Sequence, residues 1–134
     1  MIDVEEMRQR FDSSPCALFF GMKVVELERG YSRVELKLKQ EFLNWENMIQ
    51  GGVIVTLLDQ AFGCACNTLE NIYVAVQMNI HFIAAAPVGE TIYGESRVWH
   101  AGKRAGASEM TVVDSKGKTI ARATGTIVSM GARS

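Results

Sequence analysis

The chain has 134 residues, of which 48% are hydrophobic and 22% charged. A chain of this length folds as one domain whose core needs neither disulfides nor a structural metal, and this composition excludes a disordered or collagen-like protein. Fourteen Lys and Arg residues against fifteen Asp and Glu give a formal net charge of −1. This balance argues against a general nucleic-acid binder and against a membrane-surface protein.

The first residues lack the basic start and apolar block of a secretory signal, and no stretch approaches the ~18 apolar residues of a spanning helix. We therefore expect a cytoplasmic protein that does not associate with a membrane. Cys16, Cys64 and Cys66 do not have the spacing of a disulfide framework. Neither His81 nor His100 has a second ligand at a metal-like spacing. The sequence predicts no metal and no cofactor.

The first half of the chain alternates short helical and strand patterns. Apolar residues at helical spacing predict a helix over residues 3–13, ended by Ser13, Ser14 and Pro15. Residues 22–28 indicate a strand, and a second strand follows Gly30, where apolar residues alternate strictly with charged ones. Residues 41–49 are irregular and polar.

Residues 51–67 are apolar on nearly every side, which predicts a buried rather than an amphipathic helix. Strand patterns follow over residues 73–83, 91–99, 107–113 and 119–129, with a hairpin tip at Lys116-Gly117. Antiparallel strands around one helix predict an α+β fold, a curved sheet of five to six strands wrapped around one long central helix. Such a sheet covers only one face of the helix, so we expect a partner subunit on the other face.

Asp59 is out of place in this apolar segment, because an ionised carboxylate is costly to bury unless it is paired or solvated. It either faces a rim or caps a loop, or it is a general base or nucleophile whose pKa depends on its apolar surroundings. Gly51 and Gly52 begin the same segment. Their backbone N–H groups form an oxyanion-hole candidate at the positive end of the helix dipole, or else the two glycines only make a tight turn.

The distance between Gly51 and Asp59 limits how these two residues could form one site. Gly51 and Asp59 are eight residues apart, which is about 12 Å along one helix. An oxyanion donor and a base must each lie within ~3 Å of the same reacting group. One chain therefore cannot supply both groups to one carbonyl. Two antiparallel copies of the helix, related by a two-fold axis, can bring Gly51 of one chain beside Asp59 of the other.

The order Asn44, Gln50-Gly51-Gly52 and Asp59 resembles the Asn…His-Gly-Gly…Asp pattern of hotdog-fold acyl-CoA thioesterases, in the PaaI-like branch of phenylacetic acid degradation. The segments 74–82 and 86–90, and the closing strands with Gly102-Lys103-Arg104, also fit this branch. The resemblance covers about residues 19–129. It implies a single hotdog thioesterase-like domain over residues 1–134, with residues 1–15 as an N-terminal helix and turn, and a homodimer that is commonly a dimer of dimers.

The resemblance also implies roles for individual residues. The N–H of Gly51 would polarise the thioester carbonyl, Asp59 of the partner subunit would attack it or activate water, and Asn44 would hold the loop and the water or substrate. Two residues depart from the family's pattern. Gln50 stands where the family usually has His, and its amide donates a hydrogen bond but cannot relay a proton. Ala75 stands where several members have Ser or Thr.

We expect the substrate, an acyl-CoA thioester, to contact further residues: Gly52, Ala75 and Gln77, with Lys103 and Arg104 available for the phosphates of coenzyme A. The latter pair is equally consistent with a solvated loop tip. Coenzyme A enters only as part of the substrate. The leading hypothesis is hydrolysis of an acyl-CoA thioester, with a non-catalytic acyl-CoA or acyl-ligand binding protein as the alternative. A hotdog hydratase or dehydratase ranks lowest, because neither histidine lies near residues 51–59.

Overall fold

The computed structural model describes residues 2–133, so the first and last residues of the predicted 1–134 domain lie outside it. In chain order the elements are the helices and strands α1 Val4–Asp12, α2 Pro15–Phe20, β1 Lys23–Glu28, β2 Tyr31–Lys37, a 3-10 turn Gln40–Phe42, α3 Gly51–Cys66, β3 Asn71–Phe82, β4 Thr91–Ala101, β5 Ala105–Asp114 and β6 Thr119–Ala132. Every strand predicted from the sequence is present, most with shifted ends.

The N-terminal helix is confirmed, and a second short helix that the sequence reading missed follows it. The carboxylate of Asp3 caps α1 by accepting a hydrogen bond from the N–H of Glu6 at 3.1 Å. Helix α2 begins with Pro15 directly after Ser14 and ends at Gly21, whose φ is 80°. Proline at the first position and glycine just past the end are the usual bounds of a helix, so this pattern was available in the sequence.

The six strands form one antiparallel sheet in the order β1-β2-β4-β5-β6-β3. The curved sheet and the single long helix against it confirm the predicted hotdog architecture. Strand β3 pairs only with β6, so its other edge carries unpaired backbone groups in the single chain. This edge strand is in contact with α3, the helix that we expect a partner subunit to cover.

Helix α3 packs closely on the sheet through Leu57, Leu58 and Phe62, which are fully buried. Two glycines in the sheet make this approach possible. A Cβ atom on Gly94 would lie 2.8 Å from Cγ of Leu57, and one on Gly125 would lie 2.4 Å from Cε2 of Phe62. Both separations are too short for non-bonded carbon atoms, so these positions require glycine for the helix to sit where it does.

The sheet covers only part of α3, as expected for a helix whose remaining face is left for a partner subunit. One stripe of the helix is open within residues 2–133, and its members are Gly51, Gly52, Val55, Thr56, Asp59, Gln60 and Gly63. Apart from Val55 the stripe consists of small and polar residues, whereas the buried faces carry Val, Ile, Leu, Ala, Phe and Cys. Counting apolar residues along the segment concealed the stripe, because glycine was not distinguished from a large apolar side chain.

Asp114 shapes the predicted hairpin between β5 and β6. Its carboxylate accepts hydrogen bonds from the N–H groups of Lys116 and Lys118, both at 2.9 Å, and Gly117 has a φ of 84°. The 116–117 tip was therefore placed correctly. Among residues 2–133, no helix is long and apolar enough to cross a membrane.

Candidate active site

The start of α3 presents free backbone donors. Gln50 is the residue before the helix; its N–H donates to the carbonyl of Phe42 at 2.9 Å, and its own carbonyl accepts from Val53 at 3.0 Å. The side chain of Gln50 is exposed and makes no capping hydrogen bond. Within residues 2–133, the N–H groups of Gly51 and Gly52 have no acceptor. Such unsatisfied donors at a helix N-terminus suit an oxygen that carries partial negative charge.

The loop before α3 is held by Asn44. Its Oδ1 accepts hydrogen bonds from the N–H groups of Glu46 at 2.9 Å and Met48 at 3.1 Å, and its own N–H donates to the carbonyl of Met48 at 2.7 Å. The loop is closed by a bridge between Leu43 and Ile49. Asn44 therefore fixes the conformation of the chain that leads to the free donors of Gly51.

Asn44→Ala is expected to destabilise the protein by about 1 kcal/mol, because two backbone N–H groups of the loop lose their acceptor. For a chain of this size that is a fall of about 3–5 °C in Tm, measured by thermal unfolding. Asn44→Asp keeps the acceptor oxygen and is the matched control. Equal melting temperatures for the alanine variant and the parent would contradict this role of Asn44.

Asp59 lies in the middle of the open stripe, two helical turns after Gly51. Its carboxylate makes no hydrogen bond or ion pair within residues 2–133, although surrounding protein atoms raise its pKa above the usual aspartate range by desolvation. In a single chain Asp59 is exposed and lies at a rim, which is one of the two interpretations that the sequence left open. A solvent-facing carboxylate with no partner and a raised pKa remains available as a base or nucleophile.

The two candidate groups are held apart by the helix that carries them. Gly51 and Asp59 both belong to one continuous helix, so the rise of eight residues separates them by about 12 Å. Within one chain they cannot act on the same carbonyl.

Two apolar cavities flank the start of α3, and the sequence reading missed both. One, of about 440 Å³, lies beside Gly51, and its apolar lining includes Ile49, Ile54, Phe82, Ile83 and Ile120. The other, of about 490 Å³, lies beside Gln50 and is lined by Phe19, Phe20, Phe42, Leu43 and Val53. The charged residues Lys39 and Glu41 also line it. The adjacent aromatic residues of α2 and the apolar run after β3 were the sequence features that pointed to them.

A bulge in β3 separates two residues that were both expected to contact substrate. The pairing with β6 slips between Ala75 and Gln77, so Ala75 lies opposite the buried Ile127 on the α3 side of the sheet. Gln77 lies on the outer side, where its Oε1 accepts a hydrogen bond from the hydroxyl of Thr126 at 3.0 Å. The structure thus brings Ala75, but not Gln77, to the side of the sheet on which Asp59 lies.

Lys103 and Arg104 form the tip of the hairpin between β4 and β5, and both are exposed. Neither takes part in an ion pair within the described part of the chain. The carbonyl of Arg104 accepts from the N–H of Ser129, and that of Gly102 accepts from the hydroxyl of Tyr73 at 3.3 Å. These bonds place the hairpin near the end of β6 and the start of β3, at the end of the sheet away from Gly51, which lies beside Phe82 at the other end of β3.

Comparison with known proteins identifies the family of the chain. The model of the thioesterase superfamily matches residues 46–121, more than half of the chain and including Gly51 and Asp59. An Archaeoglobus fulgidus protein, provisionally named an esterase, is 34% identical over 105 residues, which are 78% of this chain and 68% of that protein. The acyl-coenzyme A thioesterase PaaI of Escherichia coli is 28% identical over 111 residues, 83% of this chain and 79% of the relative.

Solved structures show the same fold. The structure of the E. coli PaaI protein superposes with a TM-score of 0.89 at 24% identity, covering 97% of this chain and 98% of the other. A Streptococcus mutans protein, solved bound to acetyl CoA, superposes with a TM-score of 0.80 at 26% identity over 84% of this chain and 91% of the other. The chain therefore belongs to the thioesterase superfamily, in the PaaI-like branch of the hotdog fold, and is a thioester hydrolase.

Proposed function

We propose that the protein hydrolyses an acyl-CoA thioester to a free acid and coenzyme A. A relative that carries the name acyl-coenzyme A thioesterase and a similar structure solved with acetyl CoA support this choice of substrate. The observation that carries the proposal is chemical. Within residues 2–133, the open stripe of α3 begins at two backbone donors without an acceptor and holds one carboxylate without a partner, and these are the two groups that thioester hydrolysis requires.

The reaction centre in this proposal forms between two copies of the chain. Because about 12 Å separates Gly51 from Asp59 along α3, the two groups meet only when antiparallel copies of the helix lie side by side. The free edge of β3 supports such pairing, since it exposes Ile72, Val74 and Val76 together with unpaired backbone groups. Pairing of two β3 edges about a two-fold axis would satisfy these backbone groups and place the two stripes together.

In each centre, the N–H of Gly51 donates to the thioester carbonyl oxygen and stabilises the negative charge that develops there. Asp59 of the second copy either attacks the carbonyl carbon or removes a proton from an attacking water. Either route ends with the C–S bond broken, the acyl group joined to an oxygen from water, and a proton on the departing thiolate. Asn44 keeps the preceding loop in place.

The other proposed contacts with the substrate involve residues outside the pair Gly51 and Asp59. The uncommitted amide of Gln50 donates to the carbonyl oxygen beside the N–H groups of Gly51 and Gly52. Ala75 lies on the α3 side of the sheet and offers no hydroxyl to orient the water or Asp59. Lys103 and Arg104 bind phosphates of coenzyme A as exposed cations.

The direct test is thiol release from a panel of aromatic, short and long acyl-CoAs. The proposal predicts turnover of at least one of them, with free coenzyme A and free acid formed in equal amounts. Tight binding of acyl-CoA in a calorimeter without release of thiol from any of them would instead indicate a non-catalytic binding protein.

A further inference from the structure

A third cavity, of about 460 Å³, lies at the other end of the open stripe. It is enclosed by α1, the C-terminal half of α3, the start of β3 and Arg133 near the C-terminus. Gly63 and Gln60 of the stripe form part of its wall. Apart from its chain neighbours and the backbone of α3, no described atom lies within 4 Å of the place where a Cβ of Gly63 would be. Gly63 is one turn beyond Asp59, about 6 Å along the helix. The cavity is therefore an extension of the proposed reaction centre.

Two arginines make this cavity cationic. Arg10 of α1 and Arg133 both line it, and neither forms an ion pair within residues 2–133. Arg10 has only a 3.8 Å contact with the sulfur of Met7. Asp12, the acidic residue at the end of the same helix, is occupied elsewhere, since its carboxylate accepts the N–H of Val24 at 2.8 Å. Within residues 2–133, neither guanidinium group therefore has a carboxylate at ion-pair distance.

Arg133 is held in place with a donor left over. One of its terminal nitrogens donates to the backbone carbonyl of Asn67 at 2.7 Å and to the side-chain oxygen of Asn67 at 3.3 Å. Its Nε is buried and has no hydrogen-bond partner among the described residues. Buried donors without an acceptor are rare in folded proteins because they lose their hydration without replacement. An oxygen atom of a ligand in this cavity would supply the acceptor.

We propose that the Arg10–Arg133 cavity binds an anionic group of the thioester substrate. The inference rests on the proposed function. The group is either a carboxylate at the far end of a short acyl chain or a phosphate of coenzyme A on a folded pantetheine arm, and both offer oxygen acceptors to guanidinium donors. Met7, Phe11 and Ile72 provide apolar walls for the carbon chain that leads to the anion.

Hydrolysis by the parent and by Arg10→Gln is compared for three substrates: glutaryl-CoA, pentanoyl-CoA and pentanoyl-pantetheine. Together they distinguish an acyl carboxylate from a phosphate of coenzyme A. We expect kcat/KM to fall about tenfold or more wherever the variant removes a charge-assisted hydrogen bond. A loss with glutaryl-CoA alone assigns the cavity to an acyl carboxylate. A loss with both CoA thioesters but not with the pantetheine thioester assigns it to a phosphate. No loss with any substrate, or the same loss with all three, overturns the proposal.

Arg8→Gln is the matched control, because Arg8 lies on the same helix, pairs with Glu5 and does not line the cavity. Arg133→Gln is the second variant, and its melting temperature is compared with the parent because Arg133 also ties the C-terminal segment to Asn67. Binding of glutarate and of coenzyme A is measured calorimetrically on the same proteins. A parent that binds either ligand through Arg10 but hydrolyses no thioester would refute the proposed function and leave the anion site standing. Hydrolysis that Arg10→Gln leaves unchanged would refute the anion site and leave the proposed function standing.

Discussion

Asp59→Asn is expected to lower kcat for acyl-CoA hydrolysis by about 10²–10⁴-fold, because the amide can neither attack the carbonyl nor accept a proton from water. The side chain keeps its size and its position on the open stripe, so KM should change little. Steady-state thiol release measures the effect. Glu90→Gln, which makes the same exchange at an exposed acid outside the site, is the control and should behave as the parent. A variant at position 59 that retained full kcat would end the assignment.

The raised pKa of Asp59 adds a pH signature to this prediction. Only the ionised carboxylate reacts, so kcat should fall with decreasing pH at a midpoint above the usual aspartate range. The contribution of Asp59 to the stability of the fold depends on pH in the opposite direction and falls as the pH rises. A carboxyl whose pKa is raised by folding favours the folded state while protonated, and this contribution is lost as the pH rises through the folded-state pKa. Asp59→Asn should therefore raise Tm near neutral pH, and a Tm difference that did not shrink on acidification would contradict this.

Gly51→Pro is expected to lower kcat by about 10²–10³-fold, because it removes the N–H that we assign to the oxyanion. Position 51 is the first residue of α3, where proline is well tolerated since the N–H has no helical partner. The preceding Gln50 has φ −57° and ψ 133°, an extended conformation that a following proline permits. The fold should therefore survive, and circular dichroism with thermal unfolding checks that it does.

The comparison for this variant is Gly51→Ala, which keeps the N–H and adds a methyl group 3.5 Å from the ring of Phe82, an ordinary contact. Its loss in kcat should be at least about tenfold smaller than that of the proline variant. Similar losses for alanine and proline would show that the space at position 51, and not its N–H, matters.

Much of the fold could be predicted from local patterns. Strict alternation predicted β2, whose burial alternates because one of its faces packs toward α3 and the other meets solvent. Helix α2 was missed although Pro15 and Gly21 bound it, because six residues are too few for apolar periodicity to emerge. The resemblance to hotdog thioesterases supplied the topology, which no short-range pattern contains.

The candidate site could be predicted only in part. Gly51 and Asp59 were found because their chemistry is unusual for an apolar helix and their spacing is fixed by its rise. The position of Gln77 was not predictable, because a single bulge at Val76 reverses the face on which every later residue of β3 lies. The three cavities were not predicted, since each is lined by segments far apart in the chain, although the aromatic residues of α2 and the apolar run after β3 were partial signals for two of them.

Mixed dimers test directly whether each reaction centre is shared between two chains. Asp59→Asn and Gly51→Pro chains carrying different affinity tags would be co-expressed, and dimers containing one of each purified through both tags. If Gly51 of one chain works with Asp59 of the other, the mixed dimer has one intact centre and about half the parental activity, whereas each pure variant dimer has almost none. A mixed dimer as inactive as both pure variants would contradict the shared centre.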